Sequence, residues 1–161
     1  MKVGFLAVLT LITALGITGC QSPRQAFTPE QISALQSQGF KSTSDGWALG
    51  LSEKILFENN QSTLTTQSKE AITKIATALS SVGLRHARLD GHTDNNGESS
   101  YNQALSLKRA DTVADAYAQS IQIPRSNLTT QGLGDKYPVA SNSTSQGRAE
   151  NRRVSIVITA P

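Results

Sequence analysis

This 161-residue chain has one cysteine, one tryptophan, one methionine and two histidines. A lone cysteine, Cys20, excludes an internal disulfide. His92, one residue from Asp94, suggests a metal pair at most. With His86 elsewhere and no second cysteine the ligands are too few, so neither a metal nor a cofactor is expected. There is no GxSxG, no cysteine nucleophile beyond Cys20 and no supported pair of spaced carboxylates, so the chain is not read as an enzyme. Aromatic residues make up only 5% of the chain, which leaves Leu, Ile, Val and Ala to build the core. The formal charge of +3, falling to +2 without Lys2, is too weak and too dispersed for a nucleic-acid surface.

What is there begins with a leader. Lys2 precedes an apolar run from Val3 to about Ile17, too short for a comfortable transmembrane helix and suited to a signal-peptide core. Ile17-Thr18-Gly19-Cys20 resembles a bacterial lipobox, with Ile17 where leucine is usual. The expectation is a signal peptide over residues 1–19, cleavage before Cys20, and acylation of its thiol and new amino terminus, palmitate included. The alternative is an ordinary secreted protein with a free thiol. Several acyl chains anchor stably, since each buried methylene adds about 0.8 kcal/mol. Gln21 after the cysteine, rather than Asp, implies export to the outer membrane, facing the periplasm. Residues 20–27 would form a lipidated tether reaching at most about 28 Å.

Thr28-Pro29-Glu30-Gln31 reads as a helix start, with Thr28 as N-cap, Pro29 at the first helical position and Gln31 completing a capping box. Ile32 and Leu35 give that helix a narrow apolar side, and Gly39 ends it. Trp47 to Leu51 alternates as a strand does, and Ile55-Leu56-Phe57 reads as a second strand before a polar loop. Ile72, Ile75, Ala76 and Leu79 repeat at three and four, which predicts an amphipathic helix from about 66 to 82. A strand at 86–90, a helix from about 99 to 120 stopped before Pro124, a strand at 128–134, an exposed loop at 136–146 and a closing strand at 153–158 come next. The order β, α, β, α, β, β predicts an α/β fold of the α+β kind. It is a two-layer sandwich with a mixed sheet, two long helices on one face, and an added short N-terminal helix.

The stretch Gly91–Arg109 reads as a site. A turn, Gly91-His92-Thr93-Asp94-Asn95-Asn96-Gly97, succeeds a strand end, and Leu105, Arg109 and Val113 then share one helix face. Asp94 and Arg109 can thus face one cleft and hold a ligand bearing both an ammonium and a carboxylate, the guanidinium gripping in a fork. Alternatively they pair only with each other, as a structural ion pair.

The blocks GHTD, then Tyr101, Asn102, Leu105, Ser106, Arg109, Ala110, Val113 and Ala114, then GRAENRRVSI (147–156), together resemble the OmpA-like peptidoglycan-binding domain. The resemblance implies that Asp94 meets the ammonium, and Arg109 the carboxylate, of meso-diaminopimelate in a peptidoglycan stem peptide. It also implies that Phe57 and Asn60 border the cleft, although Phe57 reads equally as core, and that Arg152 lies near the ligand. Backbone groups around Asn95 and Asn96 would add neutral hydrogen bonds. Arg153, next to Arg152 on a strand, must point the other way. Asn102, Ser106 and Arg148 read as supports or caps.

Residues 52–161 are assigned to that domain, and 28–51 to an N-terminal helix and strand. TPEQISALQSQGF, GWALGLSEKILF and RSNLTTQGLGDKYPVASN narrow the resemblance to a lipidated branch of the family. That branch also sequesters a periplasmic repressor protein and so raises cyclic di-GMP. Ile32, Leu35, Phe40 and Trp47, if exposed, would anchor such a partner. The alternatives are that these four dock on their own domain, and that the protein is purely a tether between outer membrane and cell wall.

Overall fold

The computed structural model describes residues 26–57 and 62–160. Its first helix, α1 (Pro29–Ser37), opens with the full capping box: the Thr28 hydroxyl accepts from the Gln31 amide, and the Gln31 side chain accepts from the Thr28 amide. Nine residues are too few to hold a helix in water, so α1 must dock. Leu35 is fully buried, Phe40 just beyond the helix is 3% exposed, and the Gln31 side chain donates to the Val82 carbonyl at 3.1 Å. Leu35 and Phe40 are therefore not the exposed anchors expected of them; the short helix needs both to hold itself down. Ile32 and Trp47 are half-buried, and Trp47 leans against the core.

A hairpin comes next, β1 (Lys41–Thr43) and β2 (Gly46–Ser52). β1 carries three exposed residues and no alternation, so nothing in its sequence marks it as the edge strand it is. β2 pairs antiparallel with β5 (Arg153–Ile158), from Trp47 opposite Ile158 to Ser52 opposite Arg153. Since β5 begins at Arg153, the partner runs out at Ser52. The strand expected at Ile55–Phe57 does not form for that reason. The chain turns instead into a one-turn helix, α2 (Glu53–Leu56), whose Glu53 amide donates to the Arg152 carbonyl at 2.8 Å. Three consecutive apolar residues have no period of two; here Ile55 faces solvent while Leu56 and Phe57 enter the core. The boundary expected between residues 51 and 52 falls inside β2, so 28–51 share one sheet and one core with the later strands and helices.

α3 (Thr66–Ser81) buries Ile72, Ile75, Ala76 and Leu79, as its periodicity predicts. β3 (Ala87–His92), α4 (Ser99–Ile121) and β4 (Leu128–Gly134) form a βαβ unit with β3 and β4 parallel. The sheet order is β1-β2-β5-β3-β4, with β5 antiparallel to both of its neighbours. α3 and α4 pack together on one face, where Ile72, Leu79, Val113 and Tyr117 meet Leu89, Val154 and Ile156 of the sheet. α4 approaches the strands closely, because a β-carbon on Gly91 would overlap the Ser106 carbonyl and one on Gly132 the Gln103 carbonyl. A last short helix, α5 (Ser145–Asn151), is capped by the Thr144 hydroxyl and takes in the end of the expected 136–146 loop. Among the described residues no helix is long and apolar enough to cross a membrane.

Candidate functional site

The end of the sheet where β3 stops is where the charges gather. β3 shifts register between Gly91 and His92, and the Thr93 amide donates to the Gly134 carbonyl at 2.9 Å, which leads the chain off the sheet into the turn. Asp94 is then 6% exposed. One of its oxygens, Oδ1, accepts from the Asn96 amide at 3.0 Å, an Asx turn made by the residue type itself. The turn is tied down from α4: Asn102 Nδ2 donates to the Asn96 carbonyl at 2.9 Å and more weakly to that of Asp94 at 3.5 Å.

Arg109 enters from α4, 5% exposed, with its Cζ 5.3 Å from the centre of the Phe57 ring, a cation–π distance. Its Nη2 donates to Glu53 Oε1 at 2.6 Å, and its buried Nε has no hydrogen-bond partner. Arg152, which ends α5, binds in two directions. Its Nη1 donates to Asp94 Oδ2 at 2.7 Å, and its Nε lies 2.9 Å from Glu53 Oε2. The second contact is an ion pair at an angle outside hydrogen-bond geometry, so Oε2 too is without a formal hydrogen bond. The charges therefore run in a chain, Asp94–Arg152–Glu53–Arg109, with formal charges that cancel.

A cleft of about 290 Å³ lies over this chain of charges, lined by all four together with Asn96 and Tyr101, among others. Asp94 and Arg109 thus share one cleft without touching each other; the paired alternative is not what the fold adopts. Asn96 and Asn102 also line the cleft, whereas Asn95 is exposed and outside it. Phe57 is in the core and beneath Arg109 at once. Arg153 faces away, donating to the carbonyls of Asn151 and Tyr137. Ser106 accepts from the Gly134 amide and Arg148 donates to the Asn142 carbonyl, both away from the cleft lining. Asn60 and Cys20 lie outside the described residues.

Glu53 is the cleft residue that the sequence did not reveal. Two arginines facing a single Asp94 leave one positive charge over, and that imbalance called for a second carboxylate. His92, by contrast, points to the other face of the sheet. Burial, and then the charge of Arg153, push its pKa down from 6.5 to about 4.

Residues 56–152 match the OmpA family. The chain is 62% identical over 151 residues to a lipoprotein of Escherichia coli strain K12 named YfiB, covering 94% of each. It is 45% identical to the outer-membrane lipoprotein YfiB of Pseudomonas aeruginosa, over 96% of this chain and 92% of the relative. Among solved structures, the cell wall anchor of the T6SS from Pseudomonas aeruginosa superposes with a TM-score of 0.68 at 26% identity, covering 86% of this chain and 99% of that one.

Proposed function

Because this chain belongs to the OmpA family, we propose that it holds peptidoglycan without a covalent bond, as a non-catalytic lipoprotein anchored through Cys20 in the outer membrane and facing the periplasm. The group it clasps is the zwitterionic side chain of meso-diaminopimelate, its ammonium on Asp94 and its carboxylate on Arg109. The observation that carries this reading is the placement of two buried, opposite full charges in one cleft, held by separate elements and not spent on each other. Each charge-assisted hydrogen bond contributes roughly 1.5 to 3 kcal/mol. A lysine-type stem peptide lacks the carboxylate and would leave the arginine unanswered, which makes discrimination steep. Cosedimentation of the purified protein with diaminopimelate-type sacculi tests this. The wild type should pellet with the wall, and Asp94→Ala and Arg109→Ala should remain in solution; retention of both variants would sink the reading.

A second role is favoured by a specific observation. The similarity to the two YfiB lipoproteins runs through residues 28–51, which the family match at 56–152 leaves out. On this reading the N-terminal segment also binds YfiR, a periplasmic repressor, relieving inhibition of the diguanylate cyclase YfiN and raising cyclic di-GMP. Ile32 and Trp47, half-buried, are the remaining candidates for contact, since Leu35 and Phe40 are committed to the core. Ile32→Glu should weaken capture of YfiR from periplasmic extract and leave wall binding unchanged. If the wild type captures no YfiR, the purely structural tether is the better reading.

A further inference from the structure

Glu53 occupies the donor that a ligand carboxylate needs. Its Oε1 sits 2.6 Å from Arg109 Nη2, while Arg109 Nε, next to it in the same fork, is buried and bare. A carboxylate arriving in the cleft meets both that bare donor and the negative charge of Glu53. Two carboxylates cannot share one Nη2 without repulsion, so one must leave.

Glu53 has somewhere to go. Its Oε2 is already 2.9 Å from Arg152 Nε, in a poorly angled contact, because Arg152 turns its Nη1 to Asp94 at 2.7 Å. An ammonium on Asp94 competes for that same oxygen and frees Nη1. Released from Asp94, Arg152 can then turn to meet Glu53 with Nε and Nη2, the edge on which its two N–H bonds run parallel toward a carboxylate.

Resting on the proposed function of the cleft, we infer that ligand binding is an exchange of partners among four charges. Empty, the order is Asp94–Arg152–Glu53–Arg109. Occupied, the ligand ammonium pairs with Asp94, its carboxylate pairs with Arg109, and Arg152 and Glu53 pair with each other. No charge is left buried and unpaired at either end of the exchange, which keeps the cleft neutral and the empty protein folded. Arg152 then takes no part of the ligand itself; it is a positioning residue that receives Glu53. Glu53 lowers affinity by competing, and its displacement moves the one-turn α2, which continues directly from β2.

The probe is the soluble stem tripeptide ending in meso-diaminopimelate, titrated calorimetrically into the chain. Where Arg152→Gln has already removed the receiving pair, adding Glu53→Gln should tighten binding about tenfold over Arg152→Gln alone, the difference between displacing a charge-assisted and a neutral hydrogen bond from Arg109. The same tripeptide with that side-chain carboxylate amidated should gain nothing from the substitution. Equal or weaker binding by the double variant than by Arg152→Gln overturns the exchange and makes Glu53 a fixed support of Arg109. Should the variant fail to fold, the wild type decides by NMR. The tripeptide should shift the Arg109 side-chain Nε–H and the backbone amides of Glu53–Leu56, and stationary signals there overturn the exchange. If the wild type itself does not bind the tripeptide, the proposed function falls, and the exchange with it.

Discussion

Arg88 and Arg109 each face a carboxylate, and they do so differently. Arg88, on the sheet face away from the long helices, grips Asp90 with three hydrogen bonds of 2.9 to 3.0 Å from Nε and Nη2. Those bonds raise its pKa above the usual arginine value against the opposing effect of burial. Arg109, in the cleft, has a single hydrogen bond to Glu53 and a bare Nε. Stability alone would arrange the reverse, since the Arg88 side chain is 29% exposed and that of Arg109 only 6%. Water can make good what Arg88 lacks, whereas a buried N–H without an acceptor carries an energetic penalty of about 1–3 kcal/mol. The first pair is closed; the second leaves one donor of its fork open.

The sharpest way to break this comparison is to keep both charges and remove both forks. Arg109→Lys retains the cation but not the planar donors, and should weaken cosedimentation with sacculi by about 100-fold. Arg88→Lys should leave it unchanged. If the two lysine variants bind alike, the open pair has no special role.

Next in size comes an effect of pH on the closed face. His92 lies there beside Arg153, neutral in the fold because its pKa is about 4 against an ordinary 6.5. The unfolded chain takes up a proton at higher pH than the folded one, so stability is full above pH 6.5, falls as the pH drops toward 4, and levels off below. After allowance for partial solvent screening the loss is roughly 2 kcal/mol. Urea melts at pH 7 and pH 4.5 should show it, and His92→Gln should remove most of the difference. An equal pH dependence in that variant would contradict the assignment. The smallest effect is that of Arg88→Ala, which should lower stability by about 1 kcal/mol with wall binding intact.

The same contrast governs how much of the molecule could be read from its residues. α1, α3 and α4 announce themselves, because caps and apolar spacing are local: Thr28, Pro29 and Gln31 set the start of α1 before any tertiary contact exists. The strand expected at Ile55–Phe57 failed on something nonlocal, the point at which β5 stops offering partners to β2. β1 was hidden for a related reason, since an exposed edge needs no alternation. In the cleft, Asp94, Arg109 and Arg152 stand out by residue type within three recognisable blocks. Glu53 belongs to none of them and reaches the site only because α2 turns the chain at Ser52. Leu35 and Phe40 misled for the opposite reason: apolar residues on a short helix look the same in sequence whether a partner or their own core receives them.

The most direct test is a paired titration of the unmodified chain with two stem tripeptides that differ only in their third residue, meso-diaminopimelate in one and lysine in the other. An acid and a guanidinium set to receive a zwitterion should favour the diaminopimelate peptide by at least about 30-fold, in line with the loss of charge-assisted bonds at Arg109. Equal affinities for the two would contradict the account, because Arg109 would then be recognising nothing.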